Sequence, residues 1–500
     1  MKRYKKIVVL LLVLAVCSIA AFAALNYEEK QEQIRNSEEV ILQIAPDTAQ
    51  SLSWEYEDDN GDTVSLAFHK TDGVWYYDED EAFPVDETVV NDLLAVFEEF
   101  GVSFVIEEVE DYSQYGLEDP VGTIRLSASD QDYEILLGDF STMDQERYVS
   151  IGDGSVYLVQ DDPMNYYNVT LDDMLKDDDT PALDQVSSIQ FEGTENYSIQ
   201  YEENSANTYC SDDVYFAQLD GESLPLDTGN VKNYLANIST MDLQDYVTYN
   251  ATEEELAEYG LDNPELTVTV DYTTENEDGE EEANTFVLHV SRSAQERAEA
   301  DSGESAAETE TAEETAAAET AAQTEASGDS EEESVTAYVR VGDSQIVYQI
   351  SSDDYEDLMA ASYDSLRHRE VLTADFADIY QIDITLEDTS YTITSQESDE
   401  EEADNGRIYY YQEQELDISE LQSAIEALEA DSFTDEQPAE REEISFTVYL
   451  NNENYPQVQV QLYRYDGTYC LAVVDGEPVS LVERSYVVDL IEAVNAIVLN

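Results

Sequence analysis

Basic residues are scarce in this 500-residue chain: 20 Lys and Arg stand against 117 Asp and Glu, a formal charge of −97. Every contact with a phosphate backbone would begin with strong repulsion, so a DNA- or RNA-binding protein is excluded. Histidine and cysteine number 3 each and tryptophan 2, which leaves few donors for metal–histidine or thiol chemistry. The sequence holds no Walker loop, no Gly-x-Ser-x-Gly elbow and no His-Glu-x-x-His pair, so it names no catalytic machinery. What it does contain is an apolar share of 42% and 36 tyrosines, enough to bury cores over most of its length. At roughly 100–200 residues per domain, the length predicts two to four of them.

Lys2, Arg3, Lys5 and Lys6 precede an uncharged apolar run from Ile7 to Leu25. As a helix that run spans about 28 Å, close to the hydrocarbon thickness of a bilayer. The positive-inside rule makes residues 1–6 a cytoplasmic tail, 7–25 a transmembrane signal-anchor and everything beyond extracytoplasmic. Cleavage after Ala21-Phe22-Ala23 is the alternative. Lipidation of Cys17 is disfavoured by the bulky Val16 before it. Cys210 and Cys470 are expected as separate thiols packed like small apolar side chains.

Repetition is the strongest signal. Asp86, Asp227 and Asp417 each open an amphipathic run with apolar residues at the fourth, eighth and eleventh positions after the Asp. These are Val90, Leu94 and Phe97, then Val231, Leu235 and Ile238, then Leu421, Ile425 and Leu428. The pattern predicts three helices with Asp N-caps, one apolar stripe facing a core. Aromatic strands precede them, at Val74-Trp75-Tyr76-Tyr77, Val214-Tyr215-Phe216 and Ile408-Tyr409-Tyr410-Tyr411, and alternating strand pairs lie further upstream. Downstream, Tyr115-Gly116-Leu117-Glu118-Asp119-Pro120 recurs as Tyr259-Gly260-Leu261-Asp262-Asn263-Pro264. Gly116, Leu117 and Pro120, with Gly260, Leu261 and Pro264, read as left-handed helix C-caps and not as a ligand site. Each copy then continues into more strands and a terminal helical stretch, and the third copy lacks the hexapeptide.

The expected architecture is therefore α+β, tandem repeats of a mainly antiparallel sheet-plus-helix unit behind one N-terminal transmembrane helix. The units cover 40–180, 184–371 and, more diverged, 376–500. Residues 293–334 interrupt the second with Ala, Glu, Thr and Ser and no Val, Leu, Ile or aromatic residue. Such a tract cannot bury enough surface to offset chain entropy, so it is expected to be a disordered acidic insert at a hairpin tip, removable over 295–332 without loss of folding.

This arrangement resembles the bacterial family of domain-of-unknown-function 4340. The likeness lies in the Trp75-Tyr76 strand, the Tyr-Gly-Leu-x-x-Pro motif at 115–120 and 259–264, and the strand pairs after it. It covers the first two units well and the third loosely. The resemblance implies an extracytoplasmic α+β domain behind one membrane helix. It also implies genes that often neighbour membrane components of gliding-motility-type ABC transporters, and it carries over no catalytic residue.

Chemistry is hard to find by spacing. His69, His289 and His368 fall on two strands and a helix, far apart in sequence, and read as surface or structural side chains. Asp58-Asp59-Asn60-Gly61-Asp62 comes nearest to a calcium loop but has Tyr56 and Ala67 where an EF-hand needs ligands. Weak, nonspecific divalent cation binding is the expectation, with no catalytic, cofactor or dedicated metal residues. The function expected is a non-catalytic accessory or binding subunit of an ABC-type transporter or envelope complex. A glycan-binding module built on tyrosines and a carboxylate hydrolase are the alternatives.

Overall fold

The structure, a computed structural model, describes residues 39–499 except 59, 108, 130, 277–278, 301–334, 388 and 399–405. The tail, the apolar run 7–25, Cys17 and most of the acidic insert lie outside the described residues. Among the described residues no helix is long and apolar enough to cross a membrane. The chain divides into two compact units, 1–177 and 178–500; the first holds one large sheet and the second holds two.

The eight-stranded sheet of the first unit runs Val74–Tyr77, Thr63–Thr71, Ala49–Glu57, Gly122–Ala128, Gln131–Ser141, Glu146–Ser150, Val156–Val159, Phe104–Ile106. All neighbours are antiparallel. The chain lays down three strands outward from the middle, crosses to the far edge, returns to pair with its first strand, and runs outward through four strands that end against the far-edge strand. Both nine-stranded sheets of the second unit repeat this order, each with one extra short strand before the crossing. One is built on the central pair Val186–Gly193 and Leu266–Glu275, the other on Ile379–Leu386 and Glu442–Leu450.

Alternation decides which face is buried, because successive strand residues point to opposite sides. Leu52, Trp54 and Tyr56 are buried while Ser51, Ser53 and Glu55 between them are half-exposed; Ile382, Ile384 and Leu386 repeat the pattern. The crossing is made by helices α1 (Glu87–Ala95), α2 (Thr228–Ser239) and α3 (Ser419–Glu426), whose stripe residues all lie against the sheets. Val90, Phe97, Val231, Ile238 and Leu428 are 0% exposed. The Asp86 carboxylate accepts from Thr88 N and that of Asp227 from Gly229 N and Asn230 N. Asp417 does the same for Ser419 N one residue ahead of the cap position, which Ile418 occupies.

Gly116 and Gly260 adopt φ of 70° and 75° after their short helices, and the buried leucine that follows each turns back to bond the helix, Leu117 N to Tyr112 O and Leu261 N to Leu256 O. The tyrosine before each glycine packs on a strand tyrosine: Tyr115 on Tyr148 at 5.0 Å and Tyr259 on Tyr338 at 4.6 Å. The terminal helical stretches expected over Asp162 to Leu175 and Asp353 to Leu366 are interrupted in the first two copies. The first reduces to Met164–Tyr167 and a 3-10 turn, the second to Ser352–Met359 and Tyr363–Leu366, whereas the third is the 16-residue helix Arg484–Leu499.

Three of the arginines turn inward, while others such as Arg125 stay exposed. Arg147 meets Asp162 at 2.6 Å, Arg292 meets Glu265 at 2.6 Å, and buried Arg407 donates to Ser395 Oγ and the Ala377 carbonyl. Acidic groups on the outer faces are thereby left largely uncompensated.

The start of the insert belongs to the fold. Residues 294–300 are helical, the Glu296 carboxylate accepts from Thr336 N, and Arg297 Nη1 donates to the carbonyls of Gly260 and Asn263. Two charged side chains among alanines carry these contacts, which is why composition placed the boundary too early. Deleting 303–330 is expected to leave the thermal midpoint of the protein unchanged. Deleting 295–332 should cost about 2–3 kcal/mol through the lost charge-assisted bonds. Equal losses from the two deletions, read by thermal unfolding, would refute this division.

Candidate functional site

Where the second sheet hands over to the third, the chain leaves Tyr363–Leu366 as an extended link, Arg367-His368-Arg369-Glu370. Residue 368 is thus not helical, contrary to the sequence expectation. The short helix ends at Leu366 because Arg367 takes an extended φ of −81° and ψ of 167°. The Leu366 carbonyl then accepts from Asp227 N, docking the link against the first turn of α2.

Both flanking arginines reach the third sheet, and Arg367 also pairs with Asp364 at 3.2 Å. The Arg367 guanidinium lies 3.5 Å over the Phe433 ring and donates to the Val479 carbonyl, while Arg369 donates to the Ala430 carbonyl. Between them His368 points the other way, into carboxylates. Its Nε2 is 2.7 Å from Asp213 Oδ1, and its Nδ1 lies 3.8 Å from Asp227 Oδ2 and 3.7 Å from Glu370 Oε2.

Asp213 arrives from the loop joining Tyr197–Tyr201 to Tyr215–Leu219, and its side chain is only 2% exposed. Thr208 organises this loop. Its hydroxyl donates to Asp213 Oδ2 at 2.6 Å and accepts from Cys210 N at 2.9 Å. Thr228 closes it from the helix side, donating to the Asp212 carbonyl and accepting from Val214 N. The same loop sends Tyr209 against the core of the third sheet, where it packs on Tyr455. Cys210, Asp213 and His368 bring a sulfur, a carboxylate oxygen and a ring nitrogen within 4.8 Å of one another, and Asp227, His368 and Glu370 form a second such group.

Charge explains the protonation in this pocket. Burial alone would depress the imidazole pKa, but the carboxylates of Asp213, Glu370 and Asp227 outweigh it and push it up to about 10. Glu370 is held below the usual carboxylate range chiefly by His368. Burial, then the Asp213 charge, pushes the Cys210 thiol up to about 11. Without a metal the arrangement is an imidazolium clamped between acids; its donor set also fits a borderline divalent metal.

The other two histidines sit in simpler surroundings. His69 Nδ1 pairs with Asp78 at 2.6 Å and His289 Nδ1 contacts Thr267 Oγ1 at 3.0 Å. The calcium-like segment is a hairpin turn in which Asp58 Oδ1 accepts from Asn60 N and Asp62 N, so that oxygen is already occupied. Of the predicted cap and Gly-Leu residues, Asp227 is the one that also serves in the histidine cluster. Cys210 and Cys470 are free thiols, half-buried and buried.

Spacing could not reveal the cluster, because Asp213 and His368 are 155 residues apart. A signal did exist in the repeat itself. Asp86 N bonds the Met174 carbonyl just as Asp227 N bonds that of Leu366. Two residues beyond each carbonyl the chain carries Lys176 or His368.

A family model described as Domain of unknown function (DUF4340) matches residues 75–215 and 219–446. The two matched segments open in equivalent aromatic strands, at Trp75 in Val74–Tyr77 and at Leu219 in Tyr215–Leu219. No curated protein and no solved structure matches the chain.

Proposed function

Because the chain belongs to the Domain of unknown function (DUF4340) family, we propose that it works by binding and not by catalysis, as an accessory subunit of an ABC-type transporter or envelope complex. In this reading residues 7–25 anchor it in the membrane and the sheets stand on the extracytoplasmic side. The observation that carries the reading is repetition. One strand order is built three times, and stacking copies of a scaffold is how repeat proteins extend a recognition surface. The basic residues before the apolar run favour the same orientation. With arginines drawn into the fold, the outer faces suit a partner carrying cationic loops, and such attraction acts over about 8–10 Å at physiological salt.

Affinity purification of the tagged full chain from its native membrane tests this. Co-purification of a transporter permease, weakened by raised salt, is the expected result. Recovery of the chain without any membrane protein, under conditions that preserve other transporter complexes, would overturn it.

A further inference from the structure

We propose that Cys210, Asp213 and His368 form a binding site for a single zinc-class divalent ion that fastens the 202–214 loop to the link between the second and third sheets. The argument begins with the donor set. Thiolate, imidazole and carboxylate together suit zinc better than the oxygen-seeking calcium or magnesium. The three donor atoms already lie within 4.8 Å of one another. Tetrahedral coordination at about 2.0–2.3 Å puts ligand atoms a little over 3 Å apart. The present Nε2 to Oδ1 separation of 2.7 Å needs only a small opening to admit an ion.

The surroundings are those a metal site requires. A ligating histidine ordinarily offers its second ring nitrogen to a carboxylate, which fixes its orientation. Here Nδ1 faces both Asp227 and Glu370. The second oxygen of Asp213 is held by the Thr208 hydroxyl, which also accepts from the Cys210 amide and so positions two ligands at once. An ion pair between His368 and Asp213 accounts for two of these groups. It leaves a thiol and two more carboxylates gathered on one imidazole, with Arg367 and Arg369 turned toward Val479 and Ala430. A divalent ion balances that excess of negative charge. Three protein donors leave the fourth position of a tetrahedral shell to water or to a partner's side chain.

The full-length chain, stripped with a chelator, is titrated with zinc in excess magnesium and calcium, and separately with cobalt. The expected result is one tight zinc equivalent and a cobalt complex with thiolate charge-transfer absorption. Cys210→Ala should abolish that absorption while circular dichroism stays unchanged. Glu370→Gln, which touches the imidazole and not the ion, should weaken zinc about 10–100-fold. Asp58→Asn, on a remote turn, should change nothing. Binding that magnesium displaces, or zinc affinity and cobalt spectra unaltered in Cys210→Ala, would overturn the site and leave only the imidazolium clamp.

Discussion

Replacing Gly260 with alanine is expected to destabilise the second unit by about 3–5 kcal/mol, well beyond the ordinary range for one substitution. Two costs combine. At φ 75° an L-residue pays for a left-handed backbone, on the order of 1–2 kcal/mol. A Cβ there would also stand 2.5 Å from the Arg292 carbonyl oxygen and 2.7 Å from Ser291 Oγ. The first atom is strand backbone and cannot swing aside, so the cap must lift away from Glu281–Arg292. That lifting strains the Arg297 bonds to Gly260 and Asn263 and the packing of Tyr259 on Tyr338. Gly221→Ala isolates the backbone cost, since φ is 87° and nothing lies within 4 Å of its Cβ; it should lose only about 1–2 kcal/mol. Denaturant midpoints of the two variants decide the matter. Equal losses would mean that the close approach contributes nothing.

Glu265→Gln should be comparably damaging, by about 2–4 kcal/mol, because it leaves Arg292 without its charge partner at a buried corner. The Glu265 side chain is 8% exposed and accepts from Arg292 N at 2.7 Å, from Arg292 Nη2 at 2.6 Å and from Tyr355 Oη at 3.2 Å. Burial raises its pKa, but the bonds and charge of Arg292 prevail and hold the carboxyl below its usual value of 4.5. The direction of the pH effect follows. A carboxylate with a depressed folded pKa contributes fully above its unfolded pKa and loses that contribution as pH falls through the folded one. The stability gap between wild type and Glu265→Gln should therefore be widest at neutral pH and shrink steadily in acid below about pH 4.5. A gap independent of pH would show that the side chain's role is shape and not charge.

Much of the architecture was legible because it rests on local chemistry repeated without gaps. Asp caps, apolar residues at helical spacing and alternating strands each act over a few residues, so Val90, Leu94 and Phe97 announce their burial from spacing alone. The terminal helices were harder. Asp162 to Leu175 has enough apolar residues for a helix, yet the Asp162 carboxylate turns back to Arg147 and to Met164 N and the chain breaks after Tyr167. The histidine cluster was hidden for a topological reason. Its loop, its helix cap and its link meet only after the second sheet has closed, and neither Asp213 nor Cys210 stands in a local pattern that distinguishes it from other acids or packed thiols.

The strands at the rims of the sheets carry a consequence of their own. Val74–Tyr77 and Phe104–Ile106 end the first sheet, Glu222–Pro225 and Tyr246–Thr248 the second, and Gln414–Leu416 and Ala430–Phe433 the third, none longer than four residues. Long open rims invite one sheet to zip onto another, which is the route to fibrils. Stubs this short offer too few bonds to template such growth. Gene duplication could therefore lengthen this chain by whole copies without turning it into a polymerising protein.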